Sequence, residues 1–516
     1  MNLESILPKL IISNIKNYLK EIENPKEEDK IRWPMELIQN AKDSLYLGSN
    51  IQQQKQVSIS IEIKGNLDNI EEVIFSHDGP PFTQDSYEGL MYKISQGKDD
   101  NKKTTGQFGT GFITTHVLSK IVYISGDIIE KNNNINGFSV VMYREGRTNE
   151  EILSDCLKMS NSYKTESNRF NLTTFKYQTK TKQSKQCAKL GIANLKNHIW
   201  YVLTNCPDIK CFKLILNGRH ILYSVSTSNG NPNLYTITAS SDRMNEKRYF
   251  LKFDHKPVDI TVEIDDKYNI IPKGENIECL YAVFPLIGTG SHILPFSINS
   301  PEFEPSTERN NLPLLGEIAE VASNKNLLLT SLALYENLID ELLKNNCSNI
   351  YQLARGLNLD KCPYKSFDLV WYEENFLQPM RNILSKKVKV KTCSNNSILL
   401  SDVYFPVQIN SKTIKQFLDL SVIRKYYPNM IEYHDFMLWK DYIWATSKMV
   451  SINDLLERVQ NDKSLFDEPQ LNTFNEVLKF VWKYDKNILH NKALIPDMNN
   501  ELKCFSIDRI FMKECK

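Results

Sequence analysis

Glu36 and Asn40 stand four residues apart in the stretch Ile31-Arg-Trp-Pro-Met-Glu-Leu-Ile-Gln-Asn-Ala-Lys-Asp-Ser-Leu45, and Asp43 follows three residues later. On a helix the three share one stripe. At a phosphate the pair has complementary chemistry, because an amide oxygen is a hard ligand for Mg²⁺ and a carboxylate can orient a water for in-line attack. The same residue types also suit a solvated helix face. A second cluster is Gly106-Gln-Phe-Gly-Thr-Gly-Phe112. Glycines ahead of a helix let the backbone approach an anion, and the helix start offers free N–H groups. The order G-x-x-G-x-G is neither Walker A, since no Lys-Ser/Thr follows, nor the dinucleotide G-x-G-x-x-G. A tight turn would use the same glycines. Between the two clusters lies His77-Asp-Gly-Pro-Pro-Phe82.

These residues need elements to hold them. Trp33, Leu37, Ala41 and Leu45 recur every four residues, which predicts a helix over 31–45 with Pro34 in its first turn. Period-two runs predict strands at Val57–Ile63 and Glu72–Ser76, the second running into His77, and further strands at Ile121–Ser125, Phe138–Tyr143 and Leu172–Tyr177. A Lys/Gln/Ser-rich break, 176–189, precedes a second unit. There a helix over Leu190–Leu203 is followed by strands at Cys211–Leu216, Ile221–Val225, Arg248–Phe253, Ile260–Ile264 and Cys279–Leu286. From about Leu312 the pattern turns helical, at Asn326–Leu343, Ile452–Val459 and Asn472–Tyr484. The expected class is α+β.

The 516 residues carry 63 Lys+Arg against 62 Asp+Glu, a net charge of +1, which argues against a polyanion held by bulk charge. Lys176, Lys180, Lys182, Lys185 and Lys189 in one segment, and Lys386, Lys387, Lys389 and Lys391 in another, lack interleaved aromatics and read as solvated surface. Ten cysteines show no C-x-x-C pair, and eight histidines form no metal-ligand spacing, so a structural zinc site is not expected. No run nears the roughly 18 apolar residues of a membrane helix. The expectation is a cytoplasmic protein with reduced thiols, no signal peptide and no membrane partner.

Taken together, the motifs resemble a known family. Glu36-Leu-Ile-Gln-Asn40-Ala-Lys-Asp43 resembles the first nucleotide-binding box of the gyrase, heat-shock chaperone, histidine kinase and MutL (GHKL) superfamily, the Bergerat fold. Gly106 to Phe112 resembles its lid-and-phosphate box in the heat-shock chaperones, and Thr173 stands where the family has a nucleotide-binding threonine. In the adenine-binding turn, His77 takes the place of the family's aspartate, with Asp78 and Gly79 beside it. A neutral imidazole could accept from the adenine amino group, or Asp78 could reach it. The H-D-G-x-P-F variant is similar to the sacsin-like branch. So are Tyr281 to Gly288 and Leu294 to Arg309, where a Thr-x-Arg makes Arg309 the candidate to contact the γ-phosphate.

The resemblance implies a GHKL α/β-sandwich ATP-binding domain over 1–178, a transducer-like middle domain over 190–312 and a mainly helical region over 313–516. It implies a slow Mg²⁺-dependent ATPase in which Asn40 holds Mg²⁺, Glu36 polarises water, and Gly106, Gln107, Phe108, Gly109, Thr110, Gly111 and Phe112 bind phosphate. Asp43, His77, Asp78, Gly79 and Thr173 complete the ATP site, under a lid at 97–105. The implied output is a chaperone-like or clamp-like cycle acting on a protein client or partner subunit, with ATP-linked homodimerisation. The alternative is an ATP-sensing interaction module with little turnover, such as a subunit of an antiviral defence complex. Nucleic acid is not favoured as a partner.

Overall fold

The computed structural model describes residues 12–13, 15–16, 19–20, 22–47, 54–92, 111–130, 133–274, 277–291, 294–306, 309–358, 367–444, 447–466, 470–497 and 501–504. The glycine-rich residues Gly106 to Thr110, the expected lid at 97–105 and Thr307 lie outside them. The chain divides into two compact units, Met1–Leu338 with Lys361–Tyr372, and Ile339–Asp360 with Glu373–Lys516.

The first unit is built on a sheet whose strands alternate as their sequences do. In β1 (Val57–Asn66) the side chains of Val57, Ile59, Ile61 and Ile63 are buried, while Ser58, Ser60 and Glu62 are half-buried. Burying alternate residues on one face fixes the register, since a one-residue slip would turn every apolar side chain outward. β1 pairs antiparallel with β2 (Asn69–His77) and parallel with β7 (Ile209–Leu216). The remaining strands are β3 (Ile121–Ile129), β4 (Ile135–Tyr143), β5 (Lys164–Glu166), β6 (Thr173–Gln178), β8 (Arg219–Thr227) and β9 (Leu234–Ser241), then β10 (Met244–His255), β11 (Val258–Ile264), β12 (Leu280–Ala282), β13 (Phe284–Pro285) and β14 (Ser297–Asn299). Among the described residues they form one 14-stranded mixed sheet, in the order β13-β12-β14-β11-β10-β9-β8-β7-β1-β2-β6-β3-β4-β5.

The polar stretch that reads as a break is a short capped connection. β6 ends at Gln178, buried Thr179 donates its hydroxyl to the Ile70 carbonyl at 2.7 Å, and Thr181 caps the helix Lys182–Asn205 in a reciprocal box with Ser184. The sheet continues on both sides of it, because this helix carries the chain from β6 to a place parallel to β1.

The helix bearing Glu36 runs Glu27–Leu47, and its first turn holds Glu27, Glu28 and Asp29, where carboxylates favour a helix start. Pro34 therefore lies inside the helix and not in its first turn, and it cannot give the Lys30 carbonyl the N–H a helix would supply. Fully buried Trp33 donates from Nε1 to the Cys187 carbonyl at 3.1 Å, on the helix Lys182–Asn205. A Cβ on Gly191 of that helix would lie 2.0 Å from Trp33 Nε1. Only glycine lets the two helices close on the indole.

In the second unit the helices Ile452–Asn461 and Leu471–Asp485 bury Leu455, Leu456, Phe474, Val477 and Val481 in a core with Phe417, Val422 and Ile423. Three-residue strands, Lys389–Lys391 with Ser397–Leu399 and Tyr404–Pro406 with Lys448–Val450, accompany the helices. Runs this short leave no periodic signal. Among the described residues no helix is long and apolar enough to cross a membrane.

Gly191→Ala is expected to lower stability by about 1–3 kcal/mol through overpacking against Trp33. Gly230→Ala, where an added Cβ meets nothing within 4 Å, should leave the urea midpoint unchanged. Equal midpoints for the two variants would contradict the packing account.

Candidate functional site

The stripe on the Glu36 helix is not a solvated face. Glu36 is 6% exposed and Asp43 0%, and Gln39 and Lys42 are buried with them. Buried carboxylates need countercharge. Glu36 Oε1 lies 3.2 Å from the Arg32 guanidinium one turn back, and Asp43 Oδ1 lies 3.4 Å from Lys42 Nζ. Asn40 stands between them half-buried, its Nδ2 enclosed with no hydrogen-bond partner among the described residues. Buried polar groups are normally satisfied, so the enclosed Asn40 amide beside buried carboxylates departs from the usual pattern.

Arg309, distant from this helix in sequence, feels its charges. Its backbone takes a left-handed turn, φ 49°, with its N–H donating to the Ser306 carbonyl at 2.7 Å. Its guanidinium donates to the Ala282 carbonyl at 3.2 Å. Burial pulls its pKa below the usual value, the Glu36 carboxylate is the chief opposing charge, Arg32 adds to the lowering and Asp43 opposes it. An arginine keeps its proton in such a setting. Glu36 and Asp43 thus lie buried with cationic neighbours on the helix that carries Asn40, and Arg309 is close enough to feel the charges of Glu36, Arg32 and Asp43.

The turn after β2 is fastened at three points. Asp78 accepts from the Ser58 N–H at 2.7 Å, which commits its carboxylate to the start of β1. A Cβ on Gly79 would fall 2.2 Å from Ser44 Oγ, so the turn rests directly on the Glu36 helix and only glycine permits that approach. Phe82 then joins β3, its N–H donating to the Asp127 carbonyl and its own carbonyl accepting from the Ile129 N–H, both at 2.8 Å. The Asp127 carboxylate also accepts from the N–H groups of Phe170 and Asn171, which steers the chain into β6. There Thr173 stands opposite His77 in register, and both are buried.

His77 does not offer the acceptor that the sequence reading gives it. Its Nδ1 already accepts from the Gly79 N–H at 3.1 Å. Burial lowers its pKa to about 4, partly opposed by Asp78, so the ring is neutral and carries its hydrogen on Nε2.

Gly111 opens the short helix Gly111–Thr114, which packs against the Glu36 helix. Phe112 lies in the core with its ring 5.3 Å from that of Phe175. Thr115 and Tyr177, which sequence reasoning does not single out, lock this helix to β6 through a 3.0 Å hydroxyl pair. Arg32 was also missed, although its i, i+4 spacing to Glu36 is a readable signal. Two of the five lysines of 176–189 pair with carboxylates of the β1–β2 hairpin, Lys176 with Glu72 at 2.9 Å and Lys189 with Asp68 at 2.6 Å, and Lys185 donates to the Asn69 side chain at 2.6 Å.

His116, on the turn after Gly111–Thr114, is buried with its pKa lowered to about 3, chiefly by burial. For both histidines the folded value lies below the unfolded 6.5, so the unfolded chain takes up protons first as pH falls. Their contribution is complete above pH 6.5 and drains as pH drops toward 4 for His77 and 3 for His116. Between pH 6.5 and 5 the stability should fall with a slope approaching about 1.4 kcal/mol per pH unit for each ring. His116→Gln, followed by urea titration across this range, should remove part of that slope. An unchanged slope would refute the buried neutral state of His116.

The chain matches no protein-family model and no curated protein.

Proposed function

We propose that the first unit binds Mg²⁺ and ATP and hydrolyses ATP slowly, as a GHKL-type ATPase of the heat-shock-chaperone-like and sacsin-like branch. The observation that carries this reading is the helix stripe itself, with Glu36 and Asp43 buried on either side of Asn40, whose Nδ2 is enclosed without a partner among the described residues, while Arg309 lies within electrostatic reach of the Glu36 carboxylate.

The donor set suits the group implied. Among the described residues no cluster of three His, Cys, Asp or Glu side chains could hold a metal ion. Asn40 would offer its Oδ1 to a Mg²⁺ brought in with the phosphates, and its unpartnered Nδ2 would donate to a phosphate oxygen and not to the ion. When bound, the ion supplies charge neutralisation at the phosphates. Glu36 orients a water toward the γ-phosphorus and takes up its proton as the bond to the β-phosphate oxygen breaks. Arg309 places its fork of donors on the charge that develops at the γ-phosphoryl oxygens. In this reading the backbone from Gly106 to Gly111 cradles the phosphates. The three-part layout, with an ATP-binding domain over 1–178, a transducer-like middle domain over 190–312 and a C-terminal region over 313–516, belongs to the same proposal. So does an output in which turnover rearranges the later domains on a protein client or partner subunit, with ATP-linked homodimerisation.

One observation favours a second reading, an ATP-sensing module with little turnover that recruits a partner. It is His77, whose neutral ring replaces the carboxylate that the resemblance expects at the adenine.

Calorimetry and phosphate release on the full chain decide between them. The wild type should bind Mg²⁺ and ATP and release phosphate, and Glu36→Gln should keep its affinity within about threefold while turnover falls by about 10²–10⁴. Arg309→Ala should lower turnover more than binding. Equal, negligible turnover in wild type and Glu36→Gln with binding intact would select the sensing module. Absence of binding would refute both.

A further inference from the structure

His77 has one ring nitrogen in use and one to spare. Nδ1 is held by the Gly79 N–H at 3.1 Å, and no described residue hydrogen-bonds Nε2. A neutral imidazole has one acceptor and one donor, so a nitrogen that accepts leaves the other as N–H. The ring cannot exchange these roles by turning over without losing the Gly79 bond. The turn itself is fixed, by Asp78 on the Ser58 N–H, by Gly79 against Ser44 and by Phe82 on β3. Asp78 is tied to β1 through Oδ1, which accepts from the Ser58 N–H and lies 3.4 Å from Gln54 Nε2. His77 is 5% exposed, stands beside Thr173 in register, and follows the face of β2 that buries Val73 and Phe75. A ligand acceptor that reaches Nε2–H would form the hydrogen bond that the described residues do not supply.

We propose that His77 reads the base of the bound nucleotide as a hydrogen-bond donor, through Nε2–H, to an acceptor on the six-membered ring edge of a purine. That acceptor is N1 of adenine or O6 of a 6-oxopurine, and the exocyclic amino group of adenine is not the atom recognised. The inference rests on the nucleotide site proposed above and adds to it which base atoms matter. A carboxylate at this place would do the opposite, accepting from the amino group and rejecting a base without one.

The test is a binding series on the full chain with Mg²⁺, comparing ATP, the triphosphate of purine riboside (adenine without its amino group), 1-deaza-ATP (N1 replaced by CH) and GTP. Purine riboside triphosphate is expected to bind within about threefold of ATP. If adenine N1 is the acceptor, 1-deaza-ATP binds about tenfold or more weakly than ATP. If O6 is the acceptor, GTP binds more tightly than ATP by a similar factor. His77→Asp should make binding depend on the amino group. The wild-type series decides the matter even if that variant does not fold. Loss of about tenfold on removing the amino group overturns the proposal while leaving the ATP site standing, as does indifference to all three changes. Failure of every triphosphate to bind overturns the proposal together with the site.

Discussion

The indole of Trp33 seated on the backbone of Gly191 sets the position of everything else in the site. With no side chain at Gly191, the Glu36 helix lies close enough to its neighbour for Trp33 Nε1 to reach the Cys187 carbonyl. That depth brings Ser44 against the bare backbone of Gly79, and so puts the His77 turn on the helix that carries Glu36, Asn40 and Asp43. The helix is the common wall of two clusters. Glu36, Asn40 and Asp43 lie on it, and Ser44 next to them meets the turn, whose His77 stands in register with Thr173.

Burying charge in this way runs against stability. A carboxylate withdrawn from water is held only when cations and hydrogen bonds surround it, and replacing such a group with apolar packing is often neutral or stabilising. Glu36 and Asp43 are nevertheless buried next to Arg32, Lys42 and Arg309, and Asn40 adds an enclosed amide donor with no partner. Local rules are broken here in several places at once. Such a concentration is expected where a surface is arranged for a ligand and not for folding.

Much of the scaffold was legible because it is local. The four-residue recurrence of Trp33, Leu37 and Ala41 gives the helix, and the alternation in Val57–Ile63 gives the strand and its buried face. The start of the Glu36 helix was misplaced because its first turn, Glu27 to Asp29, carries no apolar periodicity and is held by charge alone. The helix Asn149–Ser162 was missed although Thr148 and Glu151 spell its capping box. What could not be read was long-range. Nothing in 176–189 announces that β7 returns to lie parallel to β1, and no spacing brings Arg309 within electrostatic reach of Glu36. The hydrogen on His77 depended on a neighbour two residues away, the Gly79 N–H, whose direction only the folded turn decides.

The central claim is that the Glu36 helix, the His77 turn and the Arg309 segment form one nucleotide site, and amide hydrogen exchange tests its location most directly. The full chain would be followed with and without Mg²⁺ and a non-hydrolysable ATP analogue. The account predicts slowed exchange in 31–47, 77–83, 111–118 and around Arg309. Protection confined to the unit Ile339–Asp360 with Glu373–Lys516, or no change at any of these segments at saturating nucleotide, would contradict it.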